Sequence, residues 1–128
     1  MFRIGIAIIA VLGWALAQTG FKTPSGNIHC VLYEGELRCD ILQHTYKPPA
    51  KPASCKFDWG SAVSMGSKGP AQVACVSDTV ANPKLTVLDY GRTWRGGGFI
   101  CVSHRGGINC TNRDGNGWEL SRAKQRLF

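Results

Sequence analysis

Cys30-Val31-Leu32-Tyr33-Glu34-Gly35-Glu36-Leu37-Arg38-Cys39 decides the fold. A two-residue turn at Glu34-Gly35 sets Tyr33 against Glu36, Leu32 against Leu37 and Cys30 against Cys39. Side chains alternate along a strand, so Ile28, Cys30 and Leu32 share a face with Leu37, Cys39 and Ile41. His29, Val31, Glu36, Arg38 and Asp40 take the other. One face is apolar and the other mostly polar, as a hairpin covering a core requires. Counted outward from the turn, Cys30 and Cys39 fall at a non-hydrogen-bonded pair, where Cα atoms lie ~4.5 Å apart, within disulfide reach.

The same spacing returns as Cys101-Val102-Ser103-His104-Arg105-Gly106-Gly107-Ile108-Asn109-Cys110. A turn at Arg105-Gly106 places Cys101 opposite Cys110 and Ser103 opposite Ile108. The two stretches share Cys-Val-x-x-x-Gly-x-[Leu/Ile]-x-Cys, a short internal repeat that reads as one stapled hairpin used twice. Cys75-Val76-Ser77 looks like the start of a third copy without its closing cysteine. Cys55 and Cys75 remain and pair by elimination, giving 30–39, 55–75 and 101–110. Chain-entropy estimates assign ~2.7 kcal/mol to each ten-residue loop and ~3.3 kcal/mol to the longer one. Together that is comparable with the ~5–15 kcal/mol net stability of a whole domain.

Such pairing needs an oxidising compartment, and the N-terminus supplies a route to one. After Arg3 the chain is apolar and uncharged from Ile4 to Ala17, with Ala15-Leu16-Ala17 before the polar Gln18. Charge, apolar core and small-x-small order make residues 1–17 a secretory signal peptide. The stretch is short of the ~20 residues that span a bilayer. Residues 18–128 then form one secreted six-cysteine domain, located outside the cell, in the periplasm or in the cell envelope, with no transmembrane anchor after cleavage. The length of 128 residues allows one domain, and 44% hydrophobic content disfavours a disordered chain. A cofactor-binding α/β enzyme of the usual size does not fit.

Around the hairpins, Phe21 to Gly26 reads as a strand and turn. Residues 47–53 are a Pro-rich connector in polyproline II conformation, read as a stiff crossing between sheet parts. Ser61 to Met65, Ala71 to Ser77, Leu85 to Tyr90 and a closing Trp118 to Ser121 read as strands. Arg122 to Phe128 is open between helix and strand. Turn signals every 8–12 residues and the lack of any long 3.6-residue period give an all-β class: a small antiparallel sheet or sandwich built from stapled hairpins with three disulfides.

The candidate chemistry is mostly negative. Ser121-Arg122-Ala123-Lys124 fits Ser-x-x-Lys, but the enzymes that use it need further motifs absent from this sequence. Asn112-Arg113-Asp114-Gly115-Asn116-Gly117 opens like a calcium loop, yet position twelve is Ala123 where a bidentate Glu is required, and a tight turn accounts for the residues. Neither the cysteines nor His29, His44 and His104 show zinc-ligand spacing. No sequence feature gives a histidine a nucleophile or carboxylate partner. The expectation is no catalytic residue, no metal and no cofactor.

Charge supplies the positive reading. Residues 91–128 carry seven basic groups against Asp114 and Glu119, whereas residues 18–90 carry seven against six. Arg92-Thr93-Trp94-Arg95 places an aromatic between two guanidiniums, Arg105 sits at a hairpin tip and Arg113 by a turn. Arginine binds phosphate and carboxylate through a planar fork and stacks on tryptophan. Arg92, Trp94, Arg95, Arg105 and Arg113 are therefore the anion-binding candidates. The partner would be an anionic envelope polymer or an acidic protein, with nucleic acid only as an extracellular ligand.

Phe21-x-Thr23-Pro24-Ser25-Gly26-Asn27-Ile28-x-Cys30 resembles the opening of a family of small secreted bacterial proteins that carries only a domain-of-unknown-function label. The resemblance continues through Asp58-Trp59-Gly60, Leu88-x-Tyr90-Gly91, Gly107-Ile108-x-Cys110 and Leu120-Ser121-Arg122. It departs at Gly115-Asn116-Gly117-Trp118, where the family pattern reads Gly-His-Gly-Phe. The resemblance implies the domain and brings no activity with it. The sequence thus points to a non-catalytic binding module with a basic Arg/Trp face. The alternative is an inhibitor of an extracellular hydrolase, presenting Tyr33 to Glu36 or His104 to Gly107 to a cleft.

Overall fold

A computed structural model describes residues 19–128. The signal peptide expected at 1–17 lies outside the described residues. Ten strands form two five-stranded antiparallel sheets. The first sheet holds β1 (Gly20–Lys22), β2 (Ile28–Tyr33), β3 (Glu36–Ile41), β4 (Ala62–Gly66) and β5 (Gln72–Val73). The second holds β6 (Thr93–Gly96), β7 (Phe99–His104), β8 (Gly107–Thr111), β9 (Gly117–Leu120) and β10 (Gln125–Leu127). In each, spatial order follows chain order. Among the described residues there is no helix, and so none long and apolar enough to cross a membrane.

The stapled hairpins are the second and third strands of each sheet, in the registers the alternation demands. Cys30 faces Cys39 and Leu32 faces Leu37; Cys101 faces Cys110 and Ser103 faces Ile108. All three disulfides form, 30–39 and 101–110 with Cα atoms 4.1 Å apart and 55–75 at 5.8 Å. The two turns differ beneath the common register. Glu34 (φ 52°) and Gly35 (φ 80°) are both left-handed, as a type I′ turn requires. In the second hairpin the left-handed residue is Gly107 (φ 140°), where a Cβ would collide with the carbonyl oxygen of Leu120.

The repeat extends past the hairpins. The first strand of each sheet puts an aromatic against the first cysteine: Phe21 opposite Cys30, Trp94 opposite Cys101. The fourth strand closes the other side, with Val63 opposite Cys39 and Trp118 opposite Cys110. These faces meet in one core. The Cys30 and Cys39 sulfurs lie within 4.8 Å of the Cys110 sulfur, and the Phe21 and Trp94 rings pack 5.3 Å apart. Trp118, Phe99, Leu37, Met65, Ile108 and Leu120 fill the space around them.

Some boundaries differ from the sequence reading. Leu85 to Tyr90 forms no sheet strand; it runs beside β1, with single contacts at Lys22 and Val87. The second sheet does not close at Ser121, because Gln125–Leu127 pairs with β9. The Pro-rich connector joins β3 to β4, held by the Trp59 indole N–H donating to the Pro49 carbonyl at 2.8 Å and by the Tyr46 hydroxyl donating to the Gly60 carbonyl at 2.6 Å.

Candidate functional site

The five arginine and tryptophan candidates do not form one face. Trp94 is 7% exposed and packed on Phe21, so it belongs to the core. The reason is local: in β6 the side chains alternate, so Thr93 and Arg95 point to solvent and Trp94 points inward. The Trp94 indole expected on a basic surface is instead buried in the core. Arg113 lies at the opposite end of the second sheet from Arg105, in the turn whose backbone N–H donates to the Ser67 carbonyl. Arg95 is exposed on the outer face of β6, paired in register with Ile100. Arg92 lies near the Arg105 end, where its carbonyl accepts from the Ser103 N–H.

The Arg105 end carries a cleft of about 450 Å³ between the two sheets. One wall is the open end of the first hairpin: Ser25, Asn27, Leu42 and Gln43. The other is the tip of the second, His104 to Gly107, with Tyr90 and the Ser121-Arg122 turn. The Arg105 guanidinium stacks on Tyr90, 5.0 Å from the ring centroid. Arg122 donates to the Gln43 side-chain oxygen at 3.1 Å. Neither guanidinium has a carboxylate partner among the described residues. Both are exposed at the lips of the cleft, whereas Arg38 and Arg126 are tied up in ion pairs.

The turn lengths make this cleft. At the other end Gly97, in the two-residue β6–β7 turn, approaches Leu32 so closely that a Cβ would lie 2.9 Å from it. At the cleft end the corresponding β1–β2 turn is five residues, Thr23 to Asn27, and the position equivalent to Leu32 is Ser103. A longer turn and a smaller side chain leave space where the opposite end is filled.

Several polar groups in and beside the cleft are engaged with one another or with the backbone. His104 accepts the Gly106 N–H on Nδ1 at 3.0 Å, and its Nε2 meets the Asn109 side-chain oxygen at 3.1 Å. Both ring nitrogens thus hold the hairpin tip. Ser103 faces the core at 0% exposed, away from His104. Beyond the rim, Glu119 is held by Arg126 at 3.0 Å and Lys124 at 3.2 Å. The hydrogen bonds from Arg126 and then Lys124 bring its carboxyl down to about 2.

A second polar cluster lies on the outer face of the first sheet. Arg38 donates to both oxygens of Asp40 (2.8 and 2.9 Å) and to Asp78 (2.9 Å), and Asp40 also accepts from the Val80 N–H at 3.1 Å. His29 sits beside it in register with Asp40, 4% exposed. Burial lowers its pKa, Lys22 adds to that, and Asp40 opposes them. This cluster straps the 78–80 segment onto the sheet.

Among the described residues, the one grouping of metal-type ligands is Cys30, Cys39 and Cys110, and all three sulfurs are in disulfides. The calcium-like stretch is a turn held by its own side chains. Asn112 accepts from the Asp114 and Asn116 N–H groups and donates to the Gly66 and Gly69 carbonyls, while Asp114 accepts the Gly69 N–H.

Sequence reasoning named Arg105 but not Tyr90, Arg122, Ser25, Asn27 or Gln43. A signal was present. Ser25-Gly26-Asn27-Ile28, Tyr90 and Ser121-Arg122 fall in the stretches that carry the family resemblance, and the fold brings them to one end. The chain belongs to that family: it matches the family of unknown function DUF6636 over residues 3–128. No curated protein and no solved structure matches it.

Proposed function

We propose that this member of the family is a non-catalytic binding module of the cell envelope or extracellular space, holding carboxylate or phosphate groups of an anionic envelope polymer in the hairpin-end cleft. One observation carries the reading: Arg105 and Arg122 line a single cleft, and among the described residues neither has a carboxylate partner and no carboxylate lines the cleft. Each offers a planar fork of donors that suits a bidentate oxyanion. Tyr90 supports Arg105 from one side, and Ser25, Asn27 and Ser121 line the cleft with neutral hydrogen-bonding groups. A volume of about 450 Å³ lies within the ~300–1,000 Å³ range of small-ligand sites. Three disulfides suit an oxidising location.

The test is retention of the oxidised protein on a carboxylated polysaccharide matrix over a salt gradient. Arg105→Gln with Arg122→Gln is expected to elute far earlier than wild type, and Arg95→Gln with Arg113→Gln only slightly earlier. Equal loss from both pairs would reduce the cleft to general basic charge and overturn the reading. Trp94 is unsuitable as a probe, because its replacement would damage the core.

A further inference from the structure

The two hairpin tips are equivalent by sequence and opposite in charge. Aligned through the repeat, Tyr33 corresponds to His104, Glu34 to Arg105, Gly35 to Gly106 and Glu36 to Gly107. They also stand at opposite ends of the sandwich. The second tip lines the cleft together with the open end of the first hairpin. The strand leading to the first tip, through Leu32, packs against the β6–β7 turn at the far end.

The first tip is built for display. Tyr33 is 71% exposed, the largest exposure of any bulky apolar or aromatic side chain among the described residues. Glu34 and Glu36 are exposed, and neither forms an ion pair among the described residues. Glu34 occupies a left-handed position that a type I′ turn normally gives to Asn, Asp or Gly. The Cys30–Cys39 staple sits three residues behind Tyr33 and fixes the tip, so seating it costs little ordering entropy.

We propose that the Tyr33–Glu36 tip of one copy docks into the Arg105–Arg122–Tyr90 cleft of a second copy, so that the chain associates head to tail. The proposal rests on the cleft being an anion site, and it names an occupant of that site. The tip offers two carboxylates and a phenol ring; the cleft offers two guanidiniums, an aromatic wall and amide and hydroxyl donors. Tip and cleft are different surfaces at opposite ends, so the contact is heterologous, and each pair keeps one free tip and one free cleft. Such contacts build open chains, or rings where the rotation closes. The net positive charge of the chain does not forbid this, because at physiological salt charges more than ~8 Å apart are largely screened and the local pairs dominate.

Sedimentation velocity of the oxidised protein tests this across a dilution series at moderate and high salt. Wild type is expected to show species larger than a dimer that grow with concentration and dissolve in high salt. Glu34→Gln with Glu36→Gln removes the tip charge, and Arg105→Gln with Arg122→Gln removes the cleft charge. All four side chains are exposed, so both variants keep the fold. Each variant alone is expected to be monomeric. Mixed, they have one working tip and one working cleft between them and should stop at a one-to-one heterodimer. Monomeric wild type at every dilution, or a mixture that forms no dimer, overturns the proposal. The tip variant should still bind the carboxylated matrix. If it does while wild type stays monomeric, self-docking fails and the anion site stands; if wild type does not bind the matrix, the anion site itself fails.

Discussion

Glu119 stands between Arg126 and Lys124, and its carboxyl titrates at about 2 against an ordinary 4.5. The unfolded chain therefore takes up this proton first as pH falls. The stabilisation is complete above about pH 4.5 and drains away toward about 2. Glu119→Gln should flatten the decline of the thermal midpoint across that window, measured by circular dichroism. His29 acts higher on the scale. Its pKa lies below 6.5 in the fold, chiefly through burial, so the unfolded state binds the extra proton. Its contribution is whole above 6.5 and is lost as pH drops below that value. His29→Gln should remove part of the stability slope between about pH 7.5 and 5.5; an unchanged slope would place that titration elsewhere. Residue-level reading of the sequence failed most plainly at Trp94. Two flanking arginines suggested a surface, but strict alternation through Thr93, Trp94 and Arg95 already put the indole on the face opposite both neighbours' side chains.

The strand pairs legible in the sequence were those whose alternation and turn agreed. Both stapled hairpins combine a cysteine ladder, an apolar face and a Gly-containing turn, and each register follows from any two of these. β10 lacks such agreement: Gln125–Leu127 has no turn signal of its own and is defined by pairing with β9, through Glu119 opposite Arg126. Leu85 to Tyr90 has strand composition, but β1 is only three residues long and offers it little edge to pair with. The cleft was illegible for a related reason, since it lies between elements far apart in the chain. The disulfides differ in access. Cys30, Cys39, Cys101 and Cys110 are 0% exposed, while Cys55 is 8% exposed and Cys75 lies open to solvent. A mild thiol reductant under native conditions is expected to open Cys55–Cys75 alone, with alkylation mapped by mass spectrometry. Equal labelling of all six would mean that the core opens readily.

At the scale of the molecule, the sheets are joined by packing and not by sulfur. Cys30–Cys39 and Cys55–Cys75 belong to the first half of the chain and Cys101–Cys110 to the second. Trp118, at 0% exposed, is the largest fully buried side chain of the core in which the layers meet. Trp118→Ala should cost about 3–5 kcal/mol, read as a lower urea midpoint with all three disulfides intact. A loss below 1 kcal/mol would mean the layers hold by other contacts. The all-β class is legible in the sequence because it follows from turn spacing and from the lack of a 3.6-residue period. The repetition of a whole five-strand meander is not, because only the hairpin retains its sequence mark.

That arrangement has a practical corollary. Each layer is one uninterrupted run of chain, and a single passage, between Leu88 and Gly91, leads from one to the other. A nick there would yield two pieces, each still carrying its own disulfides, because none of the three crosses the cut. Mixed together, they should find one another again, as a split protein does.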